Sequence, residues 1–145
     1  MEEVAVWTPK RQGDAGELSA IVWLTEAGAL VSKPLFEASD YDLIADFFDG
    51  SVLRAQVKTS TCRERGRFNV ALCTRGGNQS WNRIVKKMDA TRCDYVFVHV
   101  GDGRRWFIPS EALGGGSSIR VGGPKYADYE VERGSPLQSR SGTTE

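Results

Sequence analysis

Cysteine and histidine are scarce in this sequence of 145 residues. It has one histidine and three cysteines, and the cysteines, at Cys62, Cys73 and Cys93, form no CxxC pair. Zinc sites are built from such pairs or from histidine clusters, and disulfide scaffolds need a dense, even set of cysteines. We therefore expect reduced thiols in or near the core and no zinc site.

Long apolar runs are also missing. Runs such as Ala20–Leu24 are far shorter than the roughly 20 residues that a transmembrane helix requires. The first residues include Glu2 and Glu3 instead of the apolar stretch of a secretion signal. These features predict no membrane partner and a cytoplasmic location.

The length and the composition suit one globular domain. Hydrophobic residues make up 40% of the chain and charged residues 26%, an ordinary mixture for a folded protein. We divide the chain into an N-terminal lead-in over residues 1–12, a domain over residues 13–133 and a polar tail over residues 134–145. We expect the tail to be disordered.

The charges are unevenly distributed although the formal net charge is zero. Residues 26–53 carry six acids and a single base, Lys33, whereas residues 54–92 carry ten bases and two acids. An acidic block before a basic block is typical of a metal-binding centre beside a surface that binds a polyanion. Two ordinary solvated faces would give the same pattern, so charge alone leaves both readings open.

Two helices are indicated by their capping residues. Asp14 and Glu17 have the spacing of a capping box, which predicts a helix over residues 14–27 that carries Leu18, Ile21, Val22 and Leu24 at helical spacing. Ser80 can cap a second helix over residues 80–90.

The strands alternate with these helices. We predict strands at Leu30–Glu37, Tyr41–Phe48, Ser51–Thr59, Arg67–Arg75, Asp94–Val100 and Arg105–Ile108. Pro34 favours an edge position for the first of them, and Asp49-Gly50 predicts a hairpin. The order of elements therefore indicates the α/β class, with a central mixed sheet flanked by helices.

Four polar residues stand in apolar surroundings. Gln56 and Lys58 are two residues apart in a predicted strand and so share one face. Asp42 opens the preceding strand's apolar run, and Glu17 lies on the first helix. A buried lysine, amide and carboxylate each need a partner, so their grouping is unusual for a core. A solvent-exposed strand face is the alternative.

Several segments resemble the PD-(D/E)XK nuclease superfamily, and among its members the small endonucleases associated with group I introns. The motifs with the clearest order and spacing are Gly13–Leu18, Tyr41–Ile44 and Gln56–Ser60. The intron-associated branch is also matched by Asp94–Phe97, Trp106–Pro109 and Lys125-Tyr126. Archaeal Holliday-junction resolvases are more distantly similar. The resemblance implies a restriction-endonuclease-like core and metal-dependent hydrolysis of DNA phosphodiesters.

The resemblance also implies roles for the four polar residues. Asp42, Gln56 and Glu17 would hold Mg²⁺, for which Mn²⁺ can substitute, and Lys58 would position or activate the hydrolytic water. Tyr41 departs mildly from the usual proline. Gln56 stands where the wider superfamily has Asp or Glu, a substitution familiar in the intron-associated branch, and its amide carbonyl can still supply an oxygen ligand.

This assignment requires a particular hairpin. A two-residue loop at Asp49-Gly50 would pair Asp42 with Val57, so Asp42 would face away from Lys58. Catalysis instead needs Asp42 on the same strand face as Lys58. We therefore predict a three-residue loop or a bulge, with the glycine in the left-handed conformation.

The basic block is expected to contact double-stranded DNA. The candidate DNA-binding residues are Thr59, Ser60, Arg63, Arg65, Arg67, Arg75, Asn78, Arg83, Lys86 and Lys87. Most would position the phosphate backbone, and some of the arginines would read base edges. Any one of them can instead serve only to solubilise the fold.

The leading functional hypothesis is a sequence-specific DNA endonuclease of the homing type. The alternatives are a structure-selective nuclease such as a junction resolvase, and a DNA-binding module that has lost catalysis. One copy of the chain has one catalytic centre, and cutting both strands at a long site would need two, so we expect a homo-oligomer, either a dimer or a tetramer.

Overall fold

The computed structural model describes residues 7–37, 40–75, 85–86 and 88–138, with the backbone alone for residues 74, 75, 85 and 86. Over these segments, one α-helix and eleven short strands form a mixed α/β fold. No helix in these segments combines the length and the apolarity that a bilayer-spanning helix needs.

The strands form a central sheet and two smaller ones. They are β1 (Leu30–Ser32), β2 (Leu43–Asp46), β3 (Val52–Ser60), β4 (Arg63–Glu64), β5 (Arg67–Ala71), β6 (Thr74–Arg75), β7 (Val85–Lys86), β8 (Tyr95–Val100), β9 (Arg105–Pro109), β10 (Ser118–Val121) and β11 (Glu130–Val131). The central sheet has the order β1-β2-β3-β8-β9-β11, with β3 and β8 parallel and the other neighbours antiparallel. The predicted mixed sheet is confirmed, and β1 lies at its edge as Pro34 indicated.

Helix α1 (Pro9–Glu26) begins five residues earlier than the predicted start. The Thr8 side chain accepts a hydrogen bond from the Arg11 N–H at 3.1 Å. Pro9 occupies the first turn, where a backbone N–H would have no partner within the helix, so its absence costs nothing. The prediction that Asp14 caps the helix is therefore wrong, and residues 9–12 belong to the helix. The helix ends as expected at Gly28, which has a φ of 104°.

The buried face of α1 also differs from the predicted one. The residues that the helix buries are Gln12, Gly16, Ala20 and Leu24, one per turn, whereas Leu18 is 63% exposed and Val22 is 53% exposed. Small residues in this row let the helix lie close to the sheet. A β-carbon at Gly16 would collide with the Thr59 methyl group, so Thr59 would have to move to admit any larger residue at this crossing.

The two faces of the central sheet are covered by different layers. On one face, α1 packs against Leu43, Ala45 and Phe97. On the other face, β5 and β10 contribute Phe68 and Ile119 to a larger cluster. A small antiparallel sheet of β10, β5 and β4 therefore covers the face where a second helix was expected.

The second predicted helix, over residues 80–90, is wrong where the structure describes it. Val85 and Lys86 form β7, which pairs with β6 in an antiparallel ladder. Residues 80–84 and 87 lie outside the described segments. The β-branched Val85 is compatible with a strand, and the distant partner strand supplies hydrogen bonds that the local sequence pattern does not reveal.

The hairpin between β2 and β3 has the predicted three-residue loop. Asp46 pairs with Val52, and the Phe47 N–H donates to Ser51 O at 3.2 Å, which leaves three residues, 48–50, in the loop. Gly50 has a φ of 92°, as expected. Phe48 also has a positive φ, 64°, which the sequence did not indicate and which is uncommon for an aromatic residue.

Residues 134–138 pack onto the domain, so the expectation of a disordered tail is wrong for this segment. The Leu137 N–H donates to Gly101 O at 3.1 Å, and Leu137 is 6% exposed. His99 Nε2 lies 2.7 Å from Ser135 O, and its Nδ1 lies 2.8 Å from Ser19 Oγ. A carbonyl only accepts, so Nε2 carries the proton and Nδ1 accepts from the serine hydroxyl.

We expect Gly16→Ala to destabilise the protein by about 1–3 kcal/mol, because its new methyl group meets Thr59 at the helix–sheet crossing. Gly13→Ala is the matched control, since a β-carbon there meets nothing within 4 Å. It should be neutral or stabilise by up to about 1 kcal/mol through better helix propensity.

Urea unfolding of both variants tests this difference. Adding Thr59→Ser to Gly16→Ala removes the methyl group that collides and should recover part of the lost stability. Equal effects at the two glycines would show that the crossing is looser than described.

Candidate active site

Asp42 lies directly before β2, where that strand pairs with β3. Leu43 pairs with Ala55. Asp42 lies just before the paired residues, and continuing this register by one residue would bring it level with Gln56. The Asp42 N–H donates to Ala55 O at 2.9 Å, and the Val57 N–H donates to Asp42 Oδ2 at 2.8 Å. These bonds fix the carboxylate at the strand surface before any ligand binds.

The electrostatics of Asp42 connect it to the other predicted site residues. Burial raises the pKa of the Asp42 carboxyl, and the hydrogen bond from Val57 opposes that shift. The Glu17 carboxylate also raises this pKa, whereas the ammonium groups of Lys58 and Lys33 lower it. Asp42 therefore interacts with a carboxylate from α1 and with a lysine from β3.

Gln56 and Lys58 share one face of β3, as their spacing predicted. They lie on the side of the sheet away from α1, whereas Val57 and Thr59 face the helix. Gln56 is 8% exposed and Lys58 is half-buried. Burial lowers the pKa of the Lys58 ammonium, and the Asp42 carboxylate opposes that shift. Lys58 thus loses its proton more readily than a surface lysine.

Glu17 and Asp42 line the same cleft, although they come from the helix and from the hairpin. Its lining residues among those described are Glu17, Lys33, Pro34, Phe36, Glu37, Tyr41 and Asp42. The Lys33 Nζ contacts Glu17 Oε1, and this hydrogen bond raises the pKa of Lys33. Lys33 was not among the predicted site residues. Its signal in the sequence was its position as the single base of the acidic block.

The donor atoms at this site suit a hard divalent cation. Among the described residues no group of three or more His, Cys, Asp or Glu side chains is arranged to hold a metal ion. Glu17, Asp42 and Gln56 instead offer two carboxylates and one amide, which are all oxygen donors. Oxygen donors fit Mg²⁺ and Mn²⁺ and are a poor match for softer metals.

The fold of this chain recurs in known proteins. A profile of the PD-(D/E)XK endonuclease family matches residues 7–128, which include all four predicted catalytic residues. The chain belongs to this family. The sequence resemblance to PD-(D/E)XK nucleases is thereby confirmed. A search of curated proteins finds no significant match.

Two solved structures have a similar fold to this PD-(D/E)XK chain. The bacterial homing endonuclease I-Ssp6803I is 24% identical with a TM-score of 0.71, over 86% of this chain and 89% of its own. The Holliday junction resolvase Hjc from Archaeoglobus fulgidus is 16% identical with a TM-score of 0.51, over 83% of this chain and 91% of its own. At these identities the likeness confirms the fold class alone.

Thr59 and Ser60 have internal partners in the PD-(D/E)XK core. Thr59 packs against Gly16 of α1. Ser60 is buried, donates to Asn69 O at 2.5 Å and accepts from the Cys62 N–H at 3.1 Å. In this arrangement their side chains support the helix crossing and the β3–β5 packing, so we do not include them among the DNA contacts proposed below.

The predicted basic surface includes a sharp turn between β4 and β5. Glu64 pairs with Arg67, which leaves Arg65 and Gly66 as a two-residue loop with φ values of 51° and 78°. Two positive φ values are the signature of a type I′ turn. This turn puts Arg65 at the tip of the hairpin, where its side chain is exposed.

Arg67 and Arg120 extend this surface. A cleft of about 700 Å³ is lined, among the described residues, by Glu64, Arg65, Arg67 and Arg120. The Arg67 guanidinium lies against Gly123, where an added β-carbon would be 2.6 Å from Arg67 Cζ. Arg120 lies outside the basic block of the sequence and reaches the cleft because β10 pairs with β5. No local feature of the sequence indicates that Arg120 belongs to this surface.

The other predicted DNA-binding residues are less fully described. The Arg63 guanidinium lies 5.4 Å from the centre of the Phe68 ring. Arg75 and Lys86 lie on the paired strands β6 and β7. Asn78, Arg83 and Lys87 lie outside the described residues.

Proposed function

We propose that the chain is a Mg²⁺-dependent endonuclease that hydrolyses phosphodiester bonds in double-stranded DNA at specific sequences, as a homing endonuclease does. The observation that carries the proposal is the cleft that the Glu17 and Asp42 carboxylates share, together with the electrostatic effect of the Lys58 ammonium on Asp42. Asp42 lines this cleft with Glu17, and the register of β2 and β3, continued by one residue, would put Asp42 on the strand face of Gln56 and Lys58. Membership of the PD-(D/E)XK endonuclease family supports a nuclease.

Each residue has a distinct proposed role. Asp42, Gln56 and Glu17 would hold the divalent ion through their oxygen atoms, and Mn²⁺ could replace Mg²⁺ there. A bound ion of this kind neutralises phosphate charge and activates water for hydrolysis. Lys58 orients the water or accepts its proton, a task that its lowered pKa favours.

The likeness to the archaeal resolvase makes a structure-selective nuclease the second candidate. Cleavage of long duplex DNA and of a four-way junction in Mg²⁺, with EDTA as control, separates the candidates. Cutting at one rare duplex site supports the homing type, and cutting of the junction alone supports resolution. Binding with no cleavage of either substrate would contradict the proposal and favour a DNA-binding module without catalysis.

Asp42 and Lys58 should be separable in function. We expect Asp42→Ala to lower the single-turnover cleavage rate by at least about 100-fold and to weaken Mn²⁺ binding, because a carboxylate ligand is lost. Its DNA affinity should stay the same or rise, since a negative charge near the phosphates is removed. Lys58→Met keeps the side-chain stem and should lose a similar factor in rate while Mn²⁺ still binds.

Two further variants control this experiment. Gln56→Glu restores the pattern of the wider superfamily and should retain Mn²⁺ binding. Lys10→Met, at an exposed ion pair with Asp14, should leave cleavage unchanged. Cleavage at the parent rate by both Asp42→Ala and Lys58→Met would show that the active site is misassigned.

The arginine hairpin should bind DNA through phosphate charge. We expect the double variant Arg65→Ala, Arg67→Ala to weaken duplex binding and to reduce the slope of log K against log salt by about 1.8, roughly 0.9 for each lost phosphate contact. Fluorescence anisotropy between 50 and 200 mM salt, roughly the range over which such contacts respond, measures both effects.

A double variant with the same change in charge controls for net charge. Arg11 and Arg133 are exposed and lie outside the basic block, so replacing both with alanine should leave the slope nearly unchanged. If the two double variants behave alike, the hairpin arginines are not specific contacts.

We also propose that the enzyme is a homo-oligomer, as cutting both strands requires. Leu18 and Val22 lie one turn apart on the solvent side of α1, with 63% and 53% of each exposed, and provide an apolar patch. Sedimentation velocity at micromolar concentration should give a dimer or tetramer, and Leu18→Ser with Val22→Ser should shift it towards monomer. Leu35→Ser, at an 81% exposed site elsewhere, is the control. A monomeric parent protein would contradict the proposal.

A further inference from the structure

Lys33 is held beside the proposed metal ligands. It directly follows β1 and precedes Pro34, and a residue before proline is restricted to extended backbone conformations. From this position its Nζ contacts Glu17 Oε1. The Lys33 side chain is 56% exposed and that of Glu17 is 27% exposed, so the pair lies at the cleft rim with room for the lysine to move outward.

The same ammonium group also acts on the second carboxylate. Lys33 and Asp42 line one cleft and attract each other electrostatically. A single positive charge thus lies beside both carboxylates that the proposed function assigns to the metal. A divalent ion entering the cleft meets this charge and must compete with it for Glu17.

An ordinary surface ion pair on the same helix provides a comparison. Lys10 and Asp14 are four residues apart, with side chains 86% and 64% exposed, and neither lines the cleft among the described residues. Lys33 instead reaches Glu17 from a separate element, sixteen residues away in sequence. It is also the only base in a block of six acids. Asp14 also attracts the Lys33 ammonium, but the hydrogen bond of Lys33 goes to Glu17, which lines the cleft.

We propose that Lys33 is a positioning residue that makes metal binding depend on DNA. Without DNA, its ammonium group occupies Glu17 and disfavours a divalent ion. When DNA binds, a backbone phosphate offers Lys33 another partner, and Glu17 becomes free to act as a metal ligand. This inference rests on the proposed function, because it needs both a metal at Glu17 and Asp42 and a phosphate at the cleft.

The exchange has a thermodynamic consequence in both directions. If a DNA phosphate frees Glu17 for the metal, the bound metal must raise DNA affinity by the same factor. Removing the ammonium group abolishes the competition in the free protein and also removes a phosphate contact in the complex. Metal affinity and DNA affinity should therefore change in opposite directions, which the loss of a merely structural ion pair would not produce.

The test measures Mn²⁺ binding by electron paramagnetic resonance without DNA, and duplex DNA binding by anisotropy in Ca²⁺. Lys33→Met should bind Mn²⁺ about three- to tenfold more tightly than the parent protein, because a partly exposed like charge is removed. It should bind DNA more weakly in Ca²⁺. Lys33→Arg retains the charge and should behave like the parent, and Lys10→Met is the matched control at the exposed pair.

Asp42→Ala distinguishes a failure of the proposed active site from a failure of the role proposed for Lys33. If the parent protein has no Mn²⁺ site that this substitution weakens, the proposed function fails and the inference fails with it. If that site is present and Lys33→Met leaves Mn²⁺ affinity unchanged or lowers it, the role of Lys33 is refuted while the proposed active site stands. Tighter Mn²⁺ binding together with unchanged DNA affinity would also refute the exchange.

Discussion

The register between β2 and β3 is the constraint on which the candidate site depends. A loop of three residues, 48–50, sets the register in which Leu43 pairs with Ala55, and continuing that register would put Asp42 on the same face as Gln56 and Lys58. Because side chains alternate along a strand, one residue more or fewer in this loop would turn Asp42 to the helix side of the sheet. Gly50 has the left-handed conformation typical of the last residue of such a loop, and Phe48 has a positive φ as well.

The two faces of the central sheet carry different sets of residues. The face towards α1 is filled by small and apolar side chains, and the fit of Gly16 to Thr59 brings the helix close enough for Glu17 to share a cleft with Asp42. The other face carries Gln56 and Lys58 beside the small sheet that includes the arginine hairpin. A single central strand, β3, therefore links helix packing to the candidate chemistry.

Local signals in the sequence predicted some of this arrangement well. The Asp49-Gly50 hairpin and the shared face of Gln56 and Lys58 depend on residues close in sequence, and both are confirmed. The strand face of Asp42 did not follow from local spacing, because spacing alone also allowed a two-residue loop. The requirement that Asp42 and Lys58 act together, which came from the family resemblance, favoured the longer loop.

The failures involve partners that are distant in sequence. The buried row of α1 uses Gly16 and Ala20, because the nearby sheet leaves space for small residues, whereas apolar periodicity favoured Leu18 and Val22. Lys33 reaches Glu17 across two elements, and β7 takes its hydrogen bonds from β6. None of these contacts leaves a pattern within a short window of sequence.

The histidine bonded to residues 134–138 gives the molecule an internal spectroscopic reporter. His99 is the one histidine of the chain, so a nitrogen-15 spectrum contains a single imidazole pair that needs no assignment. Its proton is fixed on Nε2 by Ser135 O, while Ser19 of α1 donates to Nδ1. Release of the segment would remove the acceptor that selects this tautomer and would change both nitrogen shifts. One ring therefore registers whether the helix and this segment remain docked.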